Sequence, residues 1–256
     1  MMKVTRSAVA TICVLALFGV GTATSAEAPN ADADALQLLK KMTDYLGGLE
    51  TFSLHTENSF EDVLDSGQKI QLDFSSSVVV SRPDKLFAER TDGLVEQFFA
   101  YDGESLSMYE SGHDIYAVIA APDNLDDMLA FSRDALDLVP PAGDMIFTNA
   151  YELLTAGLTS GFVVGEAIID GVRCTQIAFT TPVLDWQVWV ADGDKPVPVK
   201  YVLTTRDDPA QPQFITRISR WNTDPVIPEG LFEFIAPATA TATEFVFIDV
   251  AYESAE

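Results

Sequence analysis

The side chains in this sequence with the most chemical potential are two histidines and several short acidic runs. His55 falls on the polar face of a strand pattern, and His113 precedes Asp114 in a Gly-His-Asp turn. Side chains adjacent in sequence diverge, so His113 and Asp114 do not form a proton relay. We therefore predict that both histidines are solvated and that the chain has no catalytic residues.

The other reactive groups also have structural explanations. No Gly-x-Ser-x-Gly elbow, His-Glu-x-x-His helix or phosphate-binding glycine loop occurs in the sequence. Asp192-Gly193-Asp194 could offer oxygens to calcium, but the spacing fits a hairpin turn better than a complete ligand loop. Asp123, Asp126 and Asp127 suit the positive end of a helix, with Asp123 as the cap. Cys174 lies in a strand pattern and is expected to be a buried structural thiol. We predict no metal site, no cofactor and no enzymatic activity.

The N-terminus has the organisation of a secretory signal peptide. Lys3 and Arg6 precede an apolar run over residues 8–20, and Thr24-Ser25-Ala26 offers small residues before a cut. We predict a signal peptide over residues 1–26, cleaved after Ala26, and a single mature domain over residues 27–256. The alternative is an uncleaved anchor helix. Cys13 lies inside the apolar run, so the mature chain has one cysteine and no internal disulfide.

Composition and charge limit the classes of partner. The chain has 256 residues, of which 48% are hydrophobic, enough for one large β-rich domain. Its formal charge is −24, and removal of Lys3 and Arg6 makes the mature chain about two units more negative. Nucleic acid and anionic membrane surfaces are poor partners for such a body. The charge indicates a strongly solvated exterior or, alternatively, a preference for a basic partner protein.

Hydrophobic periodicity predicts mainly strands. A tryptophan-containing hairpin over residues 185–203 shows period-two alternation with large side chains on both faces, which predicts a sheet with both faces covered. About eleven strands are predicted in all, including short ones at residues 231–234 and 245–250. An amphipathic helix follows a predicted cap at Asp34 and ends at Gly47-Gly48. A helical insert over about residues 123–158, interrupted by Pro140-Pro141 and continued by an Asn149-capped helix that carries Leu158, separates two blocks of strands.

Four motifs in this order resemble a known superfamily. Residues 80–86 (VSRPDKL) are similar to the Arg-Pro corner of periplasmic lipoprotein carriers of the LolA type, and residues 101–106 (YDGESL) resemble the segment that follows it. Residues 186–199 resemble their strand, Gly-containing turn and Pro-x-Lys arm. Residues 231–237 resemble their ending, with Ala236 in place of a proline. Over nearly the whole mature chain, the sequence resembles a family of predicted periplasmic proteins of unknown function in that superfamily.

The resemblance implies an unclosed, strongly curved antiparallel β-barrel with helices that plug or cover its concave face. It also implies a periplasmic location in a Gram-negative bacterium, and a hydrophobic cavity that shelters acyl chains. The helical insert departs from the carriers in length and in its Pro140-Pro141 break, so their lid mechanism does not transfer directly.

The leading hypothesis is therefore a monomeric carrier for a lipid or an acylated protein, served by a membrane-bound delivery or acceptor protein. The alternative is a non-catalytic envelope scaffold with a filled core, and an enzyme acting on lipid or glycan is least favoured. Leu125 and Arg82 are assigned to the lid and to the corner beside it. The predicted ligand-binding residues are Phe52, Leu54, Phe74, Val78, Phe99, Tyr101, Leu106, Met108, Met128, Leu129, Leu154, Trp186, Val188 and Phe214.

Overall fold

The computed structural model describes residues 30–138 and 143–245. Its helices are α1 (Ala33–Gly47), α2 (Leu125–Leu136) and α3 (Ala150–Thr155), with a 3-10 turn at Gly143–Met145. Its strands are β1 (Asn30–Ala31), β2 (Thr51–Val63), β3 (Lys69–Ser81), β4 (Lys85–Thr91), β5 (Glu96–Tyr101), β6 (Ser105–Glu110), β7 (Ile115–Ala120), β8 (Ser160–Ile169), β9 (Val172–Thr180), β10 (Leu184–Ala191), β11 (Pro198–Thr205), β12 (Gln213–Asn222) and β13 (Thr241–Ala242).

All of these strands form one unclosed sheet. The order is β1-β8-β9-β10-β11-β12-β2-β3-β4-β5-β6-β7-β13. Neighbouring strands are antiparallel except at the two edges, where β1 and β13 pair in parallel with β8 and β7. β1 and β13 have two residues each and the other eleven strands have six or more, so the predicted half-barrel of about eleven strands is confirmed.

The sheet consists of two consecutive meanders joined by one distant pairing. Strands β2 to β7 follow one another in sequence and in space, as do β8 to β12. The two blocks meet where β12 pairs with β2, with Phe214 opposite Phe60 and Thr216 opposite Asn58. We call this β12–β2 pairing the seam.

The helices lie on one face of the sheet and divide it into two halves. In the α1 half, α1 and α3 pack on β9, β10 and β11 through a core that includes Leu39, Met42 and Leu154. In the α2 half, α2 packs on β2 to β6 through a core that includes Met128 and Leu129. The helical insert therefore crosses the seam, because its α2 end lies on one half and its α3 end on the other.

Two predicted helix caps are displaced. Asp34 lies inside the first turn of α1, and the N-cap is Asp32. Asp123 lies one residue before the cap of α2, which is Asn124, whose side chain accepts a hydrogen bond from the backbone N–H of Asp127 at 2.9 Å. At each helix the predicted and the observed cap are both short polar residues. The position at which the backbone first becomes helical decides which of the two is the N-cap.

Three predicted segments near helix and chain ends also differ. Residues 231–234 form a turn and irregular chain instead of a strand. Phe245, at the start of the strand predicted over residues 245–250, is also irregular. Leu158 lies beyond the end of α3, and Asn149 occupies the N-cap position without a side-chain cap bond. The predicted signal peptide, Pro140-Pro141 and residues 246–250 lie outside the described residues. Among the residues described, no helix has the length and apolarity that a membrane span requires.

Candidate ligand-binding site

A small apolar pocket lies on the concave face beside the seam. The space open to the centre of a water-sized sphere is about 20 Å³, close to the room that one water needs. Residues from the sheet, from α1 and from the helical insert line it together. Its lining consists of Leu46, Phe52, Leu54, Thr56, Val78, Met145, Ile146, Pro198, Ile218 and Trp221.

Three predicted ligand-binding residues line this pocket. Phe52, Leu54 and Val78 alternate on the inner face of β2 and β3, where Leu54 is directly opposite Val78. Phe52 also contacts the indole of Trp221, with ring centroids 5.9 Å apart. The period-two reading of β2 and β3 therefore identified the correct face of the sheet.

Another predicted group forms the seat of α2. Leu125, Met128 and Leu129 are buried on the inner side of α2 and belong to the same core as Tyr101 and Leu106. The Tyr101 hydroxyl donates a hydrogen bond to the carbonyl of Pro122, just before α2. Burial, with the nearby carboxylates as a smaller cause, raises the pKa of Tyr101 to about 12, so this hydroxyl stays protonated and keeps donating.

Arg82 holds the insert to the corner of the sheet. Its Nε donates to the carbonyl of Leu49 at 3.2 Å, and a second guanidinium nitrogen donates to the carbonyl of Ile146. The guanidinium also lies 3.8 Å from the carboxylate of Asp126 on α2. Asp126 in turn accepts hydrogen bonds from the backbone N–H and the hydroxyl of Thr148. We call Arg82, Asp126 and Thr148 the corner latch, because they join three segments that are distant in sequence.

Burial distinguishes this arginine from an ordinary surface charge. The Arg82 side chain is 11% exposed, and burial lowers its pKa while Asp126 opposes that shift. A desolvated guanidinium needs several acceptors, and the two carbonyls and the carboxylate supply them.

The remaining predicted residues lie in two other places. Trp186, Val188 and Leu154 are buried in the core of the α1 half, away from the pocket. Phe74, Phe99, Met108 and Phe214 are half-buried on the inner face, in the part of the sheet further from the pocket. Phe99 and Met108 are directly opposite one another on β5 and β6. The structure does not gather all fourteen residues around one cavity.

Sequence reasoning missed most of the pocket lining contributed across the seam. Ile218 and Trp221 come from β12, and Met145 and Ile146 come from the segment between α2 and α3. Ile218 is opposite Thr56, but their separation in sequence leaves no local signal for this pairing. One signal was available in the sequence, namely the large aromatic side chain of Trp221 near the end of a predicted strand. In the structure its Nε1 donates a hydrogen bond to the carbonyl of Pro198 at 2.9 Å.

His55 lies in β2, Cys174 lies in β9, and His113 lies in the turn between β6 and β7. His113 is exposed and its Nδ1 lies 2.6 Å from the carboxylate of Glu110, while His55 contacts the hydroxyl of Ser77. Cys174 is buried, and burial raises the pKa of its thiol. Within residues 30–138 and 143–245, no three of the His, Cys, Asp and Glu side chains come together as a metal site.

Fold and site together define an unclosed β half-barrel whose concave face is covered by helices over a small apolar pocket. The chain belongs to the family described as predicted periplasmic protein (DUF2092), whose model matches residues 35–246. Family membership confirms the resemblance and the periplasmic location predicted from the sequence. No curated protein matches the sequence.

Solved structures with similar architecture come from several bacteria. The lipoprotein LppX of Mycobacterium tuberculosis is 17% identical, with coverage of 77% of this chain and 98% of that one and a TM-score of 0.43. LprF of Mycobacterium bovis is 13% identical, with coverage of 77% and 97% and a TM-score of 0.47. An uncharacterised conserved protein of Thermus thermophilus is 8% identical, with coverage of 82% and 99% and a TM-score of 0.48.

Proposed function

We propose that this protein is a periplasmic binding protein that carries a lipid or an acylated protein on the concave face of its half-barrel. The observation that carries the proposal is the apolar pocket between the sheet and the helical insert. Nearly all of its lining side chains are hydrocarbon or aromatic, which suits an acyl chain and gives little basis for binding a charged solute.

Energetics support an acyl chain as the bound group. Each buried CH₂ contributes about 0.8 kcal/mol, so a 16-carbon chain contributes on the order of 10 kcal/mol before the costs of ordering and opening are subtracted. A carrier must also release its cargo, and a cover that opens and closes meets both requirements.

The proposal requires the insert to move. Ligand pockets for molecules of this size usually enclose about 300 Å³ or more, whereas this pocket admits about one water. Movement of α2 and the 3-10 turn away from β2 and β3 would expose Phe52, Leu54 and Val78 as a continuous apolar wall. The corner latch is the polar connection that such an opening would have to break.

Partners follow from the cargo. A carrier needs a membrane-bound protein that delivers the acylated cargo or accepts it, and the acidic exterior of this chain favours a basic docking surface on such a partner. We propose that the protein acts as a monomer, since one half-barrel and its insert complete the pocket.

Native mass spectrometry with organic extraction tests the proposal on protein purified from its own cell envelope. We expect a co-purifying lipid or acylated peptide near one per chain. Empty protein that also fails to take up a fluorescent fatty acid would contradict the carrier function.

A pocket-filling variant makes the test specific to the site. Leu54→Trp places an indole in the pocket and should reduce fatty-acid uptake at least tenfold, with a stability change within about 2 kcal/mol. The matched control is Val118→Trp on β7, where the side chain is exposed and uptake should be unchanged. Equal uptake by both variants would mean that the fatty acid does not bind in this pocket.

A filled-core scaffold is the second candidate, and one observation favours it. The helices already cover both halves of the concave face, with hydrophobic core residues of α1 and α2 at most 6% exposed. For a scaffold, locking α2 to the sheet by cross-linking would leave partner binding intact. For a carrier, the same cross-link would abolish cargo uptake.

A further inference from the structure

A band of buried polar side chains crosses the mainly apolar inner face at the seam. It consists of Thr56 and Asn58 on β2, Ser76 on β3 and Thr216 on β12, all 5% exposed or less. Thr56 is opposite Ser76, and Asn58 is opposite Thr216, so the four form one patch on neighbouring strands. We call this patch the polar belt.

Two atoms of the polar belt have no hydrogen-bond partner among the described residues. They are Oδ1 of Asn58 and Oγ1 of Thr216, on side chains that are 3% and 0% exposed. Leaving a buried polar atom unpaired costs free energy, so native interiors rarely contain one without a reason. Here two occur on directly opposed residues.

The orientation of the Asn58 amide follows from its neighbours. Its Nδ2 donates to Oγ1 of Thr56 at 2.8 Å and faces the backbone carbonyl of Phe74 at 3.4 Å. A carbonyl only accepts, so the nitrogen belongs on that side and the oxygen is the atom left over. The belt therefore presents one free acceptor, on Asn58, beside one free hydroxyl, on Thr216.

The belt adjoins the proposed binding pocket. Thr56 belongs to both, and Ile218, which is opposite Thr56, also lines the pocket. On the other side of the belt, Phe60 and Phe74 form a half-buried aromatic pair with centroids 6.2 Å apart. Along this face the chain thus places an apolar pocket, a polar belt and an aromatic pair in that order.

We propose that the polar belt receives an uncharged hydrogen-bond donor of the ligand, a hydroxyl or an amide N–H, while the acyl chain occupies the adjacent pocket. This inference rests on the proposed carrier function. The free Asn58 oxygen requires a donor, and the Thr216 hydroxyl can bond the same group or the oxygen next to it. A carboxylate or a fully ionised phosphate offers acceptors alone, and the partial negative charge of the Asn58 oxygen would oppose it.

The position of Arg90 agrees with an uncharged group. Arg90 is opposite Ser76 on β4, but its guanidinium lies over the Phe74 ring, 4.0 Å from the centroid, and does not bond the belt. Two sources supply the required chemistry: the hydroxyl of a glycerol-type or alcohol lipid, and the amide N–H of an N-acylated protein.

Three 16-carbon probes distinguish these sources from a purely apolar interaction. Hexadecanol offers a hydroxyl, N-methylpalmitamide offers an amide N–H, and chlorohexadecane offers no strong hydrogen-bonding group. Their affinities are measured by displacement of an uncharged apolar fluorophore from the wild-type chain, Thr216→Val and Asn58→Leu. Thr216→Val is isosteric and keeps the test valid if Asn58→Leu fails to fold.

We expect both variants to weaken binding of hexadecanol, N-methylpalmitamide or both by about fivefold to tenfold, which corresponds to one lost buried hydrogen bond. Binding of chlorohexadecane should change less than about twofold, because it makes no such bond. The probe that is weakened identifies the source. Equal changes for all three probes, or none for any, would overturn the inference while leaving the carrier function in place. A wild-type chain that binds none of the probes would overturn both.

Thermal stability supplies an independent test, in which the same Thr→Val substitution is made at two buried positions. Thr43→Val is the matched control, because the Thr43 hydroxyl is equally buried but donates to the carbonyl of Leu39 at 3.1 Å. We expect Thr43→Val to lower the Tm of the ligand-free protein, and Thr216→Val to leave it unchanged or raise it. An equal decrease in both would mean that an ordered water already satisfies Thr216, and would overturn the inference.

Discussion

The two halves of the concave face are held by different kinds of contact. In the α1 half, three aromatic rings pack across neighbouring strands: Phe179 stacks on Trp186 with centroids 4.4 Å apart, and Tyr201 meets Trp186 edge to face with centroids 6.0 Å apart. In the α2 half, the insert is tied down by the guanidinium of Arg82 and the carboxylate of Asp126. Both halves have a buried apolar core, but in the α2 half the insert is also joined to the sheet by polar bonds, which can break and reform. If the protein is a carrier, as we propose, we expect the α2 half to open.

The largest expected effect is loss of the aromatic stack. Trp186→Ala should lower the free energy of unfolding by about 3 to 5 kcal/mol, because the indole is 2% exposed and leaves a cavity. Urea denaturation measures the change. The matched control is Trp189→Ala on the outer face of the same strand, where the indole packs in a small cluster with Cys174 and Val202 and the loss should be smaller. Equal losses would mean that the inner-face aromatic cluster around Trp186 contributes no more to stability than the outer-face cluster around Trp189.

Breaking the corner latch should have the next largest effect, and a local one. Arg82→Met removes the donor to two carbonyls and should cost about 2 to 3 kcal/mol. Hydrogen exchange should accelerate in α2 and around residues 143–148 and remain slow in β9 to β11. Arg206→Met is the control, since Arg206 forms an exposed ion pair with Asp185 and should change little. Uniform acceleration over the whole chain would contradict a separately opening insert.

A smaller effect is expected where β8 meets the aromatic stack. A methyl group at Gly161 would lie 2.2 Å from the ring of Phe179, so Gly161→Ala must displace that ring. We expect a loss of about 1 to 3 kcal/mol in a thermal melt. In a Phe179→Leu background, Gly161→Ala should cost less stability than it does in the wild-type chain, because the smaller side chain leaves room for the methyl group. Simple additivity would show that Gly161 does not act through the Phe179 ring.

The smallest effect concerns a carboxyl group in the 3-10 turn of the insert. Burial raises the pKa of Asp144, opposed in part by Arg133. The folded chain therefore binds more protons than the unfolded chain between the ordinary aspartate range and the raised pKa, and stability falls as pH rises through that window. Asp144→Asn should raise the Tm at neutral pH and lose that advantage below about pH 4.

A control for the pH dependence is Asp65→Asn in the exposed turn between β2 and β3, which should leave the Tm unchanged at both pH values. If Asp144→Asn lowers the Tm at neutral pH, the ionised Asp144 stabilises the insert and the assignment of its environment is wrong.

Local pattern in the sequence was sufficient for the eleven long strands and for the face that each presents. Alternation along β2 placed Phe52, Leu54, Thr56 and Asn58 on one side, and the observed register agrees. The same alternation contained the polar belt, but a polar residue in an inward register has no meaning until its neighbour across the sheet is known. That neighbour, Thr216, is supplied by β12, and no local signal predicts the pairing.

The errors of prediction have a common physical cause. The four residues 231–234 alternate like a strand, but strand formation requires a partner edge, and β7 pairs with residues 241–242 instead. Likewise the caps of α1 and α2 are chosen by where the backbone first turns. Both depend on tertiary context, which periodicity over a few residues does not contain.

The seam has a consequence for how the chain acquires its site. β2 to β7 and β8 to β12 each form from hairpins between consecutive strands, which require only short loops to close. The pairing of Phe60 with Phe214 must instead close a loop that contains most of the chain, and such contacts carry the greatest entropic cost in folding. We expect the two meanders to form first and the seam to close last. The pocket and the polar belt both depend on that last step. A chain whose seam has not closed would therefore lack the proposed binding site, whichever meander had already folded.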